Sequence, residues 1–173
     1  MVGDDGGANQ IGMAPDAEWI ACKNMNQGFG VVPTYMDCMQ WFIAPTDLDG
    51  NNPDPTKAPD VVNNSWGCVE VCAPPLLKDI INASRAAGIF YVVSAGNDNQ
   101  FFLGLTMACN TITTPLAVYK SAFTVGALDA AGNGTPSDAI ADYSSLGPVV
   151  DNPSEGLSYR KPDITAPGTN VRS

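Results

Sequence analysis

Histidine is absent from all 173 residues of this chain. There is therefore no imidazole to act as a general base or as a zinc ligand. Positive charge is scarce as well: 8 Lys and Arg stand against 18 Asp and Glu, a net charge of −10. That balance argues against nucleic acid or an anionic membrane surface as a partner. No apolar run approaches the roughly 20 residues of a membrane-spanning helix, and no charged-then-apolar leader opens the chain. If Met1 is the native start, export lacks a signal; if the chain is an excised piece, that absence says nothing. The five cysteines, Cys22, Cys38, Cys68, Cys72 and Cys109, leave at least one unpaired within the chain. Only Cys68 and Cys72 lie close together, which disfavours zinc and leaves either a short Cys68–Cys72 bridge or reduced thiols.

What is present suits one globular domain: 45% hydrophobic and 15% charged residues, without repeats or low-complexity tracts. Residues 17–25 (AEWIACKNM) read as a strand introduced by the Ala14-Pro15-Asp16 turn, and Gly28-Phe29-Gly30 marks a loop. Tyr35, Met36, Met39, Phe42 and Ile43 form a helical stripe that ends before Pro45. Residues 46–60 are a long polar loop rich in proline. Residues 60–64 read as a short strand. Pro74 and Pro75 sit where a helix would start, and Leu76, Leu77, Ile80, Ile81, Ser84 and Ala87 share one of its faces. Gly88 caps that helix, and residues 89–93 form an apolar strand expected to be buried on both faces. Strand, helix and strand over about 30 residues are the size of a parallel crossover unit. Another strand is expected at 122–128, and the remainder is rich in turn chemistry. The class is α/β, a mostly parallel sheet covered by helices.

Ligands in such sheets bind at the carboxyl ends of the strands. Those ends lead into Ser65-Trp66-Gly67 and into Ser94-Ala95-Gly96-Asn97-Asp98. An amide such as that of Asn97 can hold a developing oxyanion without offering a competing nucleophile. On local grounds alone, Ala-Gly-Asn is also ordinary turn chemistry.

Four motifs carry further information. Asn63-Asn64-Ser65-Trp66-Gly67, Ser94-Ala95-Gly96-Asn97, Tyr143-Ser144-Ser145-Leu146-Gly147-Pro148 and Lys161-Pro162-Asp163-Ile164-Thr165-Ala166-Pro167-Gly168 occur in an order and spacing that resemble the subtilase family of serine proteases. The likeness runs from Gly12-Met13-Ala14-Pro15 to the C-terminus and is nearest in look to members of the bacillopeptidase F type. It implies the three-layer subtilisin-like fold, with residues 1–173 as the central part of a catalytic domain. By the same resemblance Asn97 is the side-chain donor of the oxyanion hole. Ser65, Trp66 and Gly67 form the substrate-pairing edge and one wall of the P1 pocket, and Ala95 and Gly96 form the opposite wall. Gly28, Phe29 and Gly30 form the second pairing edge, so that a peptide adds as a strand between the two edges.

The family triad of Asp, His and Ser is not here. Histidine is absent, and neither Gly134-Thr135-Pro136 nor Gly168-Thr169-Asn170 is the Gly-Thr-Ser motif of the nucleophile. The chain fits the stretch between the family's His and Ser, and truncation explains that better than degeneration. The reading is the central segment of an extracellular or cell-envelope serine endopeptidase, acting on protein or peptide substrate when intact and inactive alone. Sedolisin-type peptidases place Asp where Asn97 stands and fit less well. A non-catalytic peptide-binding module on the same scaffold is the rival reading. Loss of the nucleophile helix would bare an apolar face, from which self-association is expected.

No cofactor is required by this chemistry. Asp47, Asp49 and Asp54 are candidate ligands for a structural calcium ion, weighed against a plain solvated acidic loop, with Asp129 and Asp163 weaker still. The Asn-x-Ser/Thr triplets at Asn63, Asn82 and Asn133 read as chance. Trp19, Trp41, Phe90 and Tyr91 are expected in the core, and Phe101 and Phe102 are candidates to line the cleft.

Overall fold

The computed structural model describes residues 1–8, 11–67, 77–101, 108–130, 136–150, 152, 156 and 158–171. Its centre is a mostly parallel sheet. Strand β1 (Val61–Asn64) pairs in parallel with β2 (Phe90–Ser94), and β2 pairs in parallel with β3 (Phe123–Ala130). Strand β4 (Pro136–Ile140) runs antiparallel to the end of β3, and β5 (Ile164–Pro167) lies parallel to β3 on Val125 to Leu128. Strands β4 and β5 fall in the remainder of the chain, where no strand was expected from the sequence.

The crossover unit forms as expected. Helix α2 (Lys78–Ala86) links β1 to β2, and Gly88 follows it at φ +94°. Its inner face sets Ile81 and Ser84 out of solvent. The Ser84 hydroxyl donates to the Ile80 carbonyl one turn back at 2.9 Å, which satisfies a buried polar group locally. Helix α1 (Val32–Ile43) carries Pro33 in its first turn and buries Tyr35, Cys38 and Met39. The Thr34 hydroxyl accepts the Val31 N–H at 3.1 Å and lies 2.9 Å from the Asn24 carbonyl oxygen. It thereby ties the helix start to the preceding segment.

Tyr35 and Met39 of α1, Ile81 of α2, and Val62, Tyr91 and Val93 of the sheet belong to one core with Leu77, Ile89 and Ile112. Full burial of each Leu or Ile stabilises by about 1.5–3 kcal/mol. Both helices thus serve one face of the sheet. The other face is open: β2 alternates between buried and exposed residues, and Phe90 is 43% exposed. Val61 and Ile164 are exposed as well, and the Phe90 and Phe123 rings lie 5.4 Å apart. Burial of β2 on both faces, and of Phe90 in the core, is therefore corrected. Along β2 the apolar run is buried at Tyr91 and Val93, while Val92 is half-buried and Phe90 exposed.

Residues 17–25 do not form a strand. A strand needs a partner ladder, and the nearest regular pairing is the isolated Asn26–Phe29 bridge. Trp19 is 73% exposed rather than in the core. A disulfide between Cys22 and Cys38 holds this segment to α1, with Cα atoms 5.6 Å apart. That pair is 16 residues apart in sequence, and its proximity arises only when the segment folds back on the helix. The Cys68–Cys72 alternative, with Pro74, Pro75 and Leu76, lies outside the described residues. Cys109 is a free, exposed thiol.

Candidate functional site

Strands β1 and β2 run parallel with Asn64 opposite Val93. The chain therefore leaves both strands at the same edge of the sheet, into Ser65-Trp66-Gly67 on one side and Ala95-Gly96-Asn97 on the other. Adjacent strands are about 4.8 Å apart, so the two exits are neighbours. The Asn63 side-chain amide donates to the Ser65 hydroxyl oxygen at 3.1 Å and steadies the first exit.

Asn97 is exposed, in the bend between β2 and a short 3-10 helix, Asp98–Phe101. The backbone around it is held from a distant part of the chain. The Ala95 N–H donates to the Val125 carbonyl oxygen at 2.9 Å, and the Ser145 N–H donates to the Gly96 carbonyl oxygen at 3.0 Å. The Asp98 N–H donates to the Ser145 hydroxyl oxygen at 3.0 Å, and that hydroxyl lies 3.4 Å from Asp98 Oδ2. Gly96 takes φ +105°, a conformation strained for any side chain, and a Cβ there would meet Ser145 Oγ at 2.8 Å. Ala95 is buried. The side-chain nitrogen of Asn99 is buried without a partner, while its oxygen accepts the Ala108 N–H at 3.1 Å.

Gly28, Phe29 and Gly30 lie in a tight turn closed by reciprocal Asn26 and Phe29 backbone bonds of 2.7 and 3.0 Å. Phe29 is 84% exposed. Gly30 presses on the Tyr35 ring, where a Cβ would approach within 2.5 Å. The Tyr35 ring, carried by α1, also stacks against Trp66, with ring centroids 4.1 Å apart and planes 15° from parallel. Tyr35 thus joins the Gly28-Phe29-Gly30 turn to the Ser65-Trp66-Gly67 edge. In sequence it registers only as one apolar position in a helical stripe. A cavity of about 370 Å³ opens beside this turn, lined among others by Met25, Phe29, Gly30 and Thr34. The Phe101 and Phe102 side chains lie outside the described residues.

The carboxylates of Asp47, Asp54, Asp129 and Asp163 accept hydrogen bonds from the chain itself, whereas Asp49 takes part in its loop through its backbone. Asp47 Oδ1 accepts the Asn51 N–H at 2.8 Å and the Asp49 N–H at 3.1 Å, while Oδ2 accepts the Asn52 side-chain amide at 3.0 Å. These bonds, the one from Asn51 foremost, hold its carboxyl below the ordinary carboxylate range. Asp54 caps the Pro55–Lys57 turn by accepting from the Thr56 hydroxyl and N–H, which lowers its carboxyl too. Asp163 accepts from the buried Lys161 ammonium at 2.5 Å and from the Thr124 N–H at 2.7 Å. Asp129 accepts from the Thr169 hydroxyl at 2.6 Å. Among the described residues no three His, Cys, Asp or Glu gather as metal ligands. Tyr91, buried beneath the sheet, has its phenol pushed up by desolvation.

The carboxyl ends of β1 and β2 thus open at one edge of the sheet, with the exposed Asn97 on the β2 side and Trp66, stacked on Tyr35, on the β1 side. The subtilase family model matches residues 1–173, and the chain belongs to that family. It is 41% identical over 174 residues to bacillopeptidase F of Bacillus subtilis (strain 168), covering 100% of this chain and 11% of that protein. It is 33% identical to serine protease AprX of the same organism, covering 94% of this chain and 34% of that protein. Among solved structures, a protease of Pseudoalteromonas arctica PAMC 21717 superposes with a TM-score of 0.62 at 20% identity, over 91% of this chain and 38% of that one. The last likeness speaks for the fold. The chain thus spans well under half the length of these relatives, and its α/β class and mostly parallel sheet with flanking helices are those of subtilisin-like proteases.

Proposed function

We propose that these 173 residues are the central segment of an extracellular or cell-envelope serine endopeptidase, with Asn97 as the side-chain donor of the oxyanion hole. The observation that carries this reading is the exposed Asn97 amide at the carboxyl end of β2, beside the Ser65 exit of β1. A hydrogen bond from such a fixed donor strengthens as charge develops on the carbonyl oxygen of the scissile peptide. Substrate pairs with the Ser65-Trp66-Gly67 edge and the Gly28-Phe29-Gly30 turn, and its P1 side chain lies between Trp66 and the Ala95-Gly96 wall. The chain has no histidine. The base and the serine nucleophile therefore come from outside it, and the segment alone is inactive.

The Cys22–Cys38 bridge supports an oxidising compartment. No helix among the described residues is long and apolar enough to cross a membrane. Acyl transfer of this kind needs no cofactor. A structural calcium ion at the loop carrying Asp47, Asp49 and Asp54 would have to displace the amide donors that already occupy Asp47.

The test is a chimaera in which this chain replaces the matched 174 residues of bacillopeptidase F. Peptide hydrolysis that falls about 10²–10³-fold in kcat on Asn97→Ala is expected. Unchanged kcat would overturn the role of Asn97. Binding of peptide without turnover would favour a non-catalytic module. The isolated chain should resist labelling by a fluorophosphonate, and labelling above background would refute its inactivity.

A further inference from the structure

The loop that presents Asn97 is not held by its own neighbours alone. One residue, 48 positions further along the chain, grips the peptide group on each side of it. Ser145 donates its N–H to the Gly96 carbonyl oxygen at 3.0 Å and accepts the Asp98 N–H on its hydroxyl oxygen at 3.0 Å. Its hydroxyl proton is within reach of Asp98 Oδ2 at 3.4 Å. Ser145 is completely buried, whereas Asn97 between its two attachment points is exposed. Gly96 has no room for a side chain because Ser145 Oγ would lie 2.8 Å from its Cβ.

We infer that Ser145 is a positioning residue for the oxyanion donor: its backbone and hydroxyl together set the direction in which the Asn97 amide points. The inference rests on Asn97 being that donor. The physical argument is one of alternatives. A fully buried hydroxyl is expensive to leave unpaired, so it selects the single loop conformation that satisfies it. Rotation of the Asn97 backbone would break a bond at Gly96 or at Asp98, so the exposed side chain inherits the order of a buried one. Orientation within a fraction of an ångström decides how much a donor contributes in the transition state. Ser144, the adjacent residue, offers a natural contrast. Its hydroxyl accepts the Ala127 N–H at 3.0 Å and so serves the sheet rather than the loop.

The first measurement is amide hydrogen exchange on the 173-residue chain. Ser145→Ala should speed exchange at Asp98 about tenfold, while Ser144→Ala should act at Ala127 and leave Asp98 unchanged. Equal protection of Asp98 with and without the Ser145 hydroxyl overturns the inference. The second measurement uses the bacillopeptidase F chimaera. Ser145→Ala should lower kcat about 5–30-fold with KM nearly unchanged, and the double variant with Asn97→Ala should be no slower than Asn97→Ala alone. Losses that multiply would mean that Ser145 acts without Asn97 and would overturn the inference. If Asn97→Ala itself costs nothing, it is the oxyanion reading that fails, and the exchange result still decides whether Ser145 orders the loop.

Discussion

Removal of the Cys22–Cys38 bridge should cost this chain about 3 kcal/mol, as the loop-closure relation gives for some 15 residues. The pair closes a 16-residue separation. The unfolded chain regains the freedom that the bridge denied it, while the folded chain keeps α1 in place through Tyr35 and Met39. The suitable variant is Cys22→Ala with Cys38→Ala, because Cys38 is buried and a serine there would add an unpaired hydroxyl. A loss of that size is a large fraction of the roughly 5–15 kcal/mol that holds a domain together. Urea unfolding followed by tryptophan fluorescence should show the midpoint falling by about 1.5 M, for a slope near 2 kcal/mol/M. Reduction of the wild-type chain should reproduce the shift. A midpoint unmoved by either treatment, or a non-reducing peptide map without the Cys22–Cys38 link, would refute the reasoning.

The open sheet face carries Phe90, Val61 and Ile164. The chain should therefore self-associate at high concentration, and Phe90→Glu should return it to monomer by light scattering. A wild-type chain that stays monomeric would sink this expectation. Lys161→Ala removes a buried ammonium that donates to the Ala122 carbonyl at 2.7 Å and to Asp163. It should destabilise by about 2 kcal/mol, below the ~3–5 kcal/mol of a fully buried pair because Asp163 is partly exposed. An unchanged urea midpoint would contradict that. Asp47 has its carboxyl held low in the folded loop, so it binds its proton more weakly there than in the unfolded chain. Loop order is complete above the ordinary carboxylate range and is lost as pH falls through the depressed value. The Asn51 and Asn52 amide resonances should report that transition below the ordinary carboxylate range, and a midpoint at or above the ordinary value would refute it.

The helix over 32–43 and the strand–helix–strand unit over 61–94 were legible because each is a local matter. A 3.6-residue stripe, a closing glycine and a short β-rich run act within a few turns of chain. The exits at Ser65 and Asn97 were legible for a related reason, since parallel strands deliver both to one edge once the crossover is recognised. The strand expected at 17–25 failed because a ladder requires a partner, which no window of sequence displays. Strands β4 and β5 were hidden for the converse reason. Their residues, short runs without a strand period, pair because β3 offers them an edge.

Composition, the absence of histidine and the four ordered motifs belong to the sequence itself, and with them the α/β class and the family. Tertiary structure alone decided that Cys22 meets Cys38, that Tyr35 joins the Gly28-Phe29-Gly30 turn to Trp66, and that Ser145 grips the loop of Asn97. These contacts join residues 16, 31 and 49 positions apart at the most distant pair in each set (Cys22–Cys38, Tyr35–Trp66, Gly96–Ser145). No periodicity encodes such meetings. They arise when apolar faces are buried together and the polar groups carried in with them must find partners.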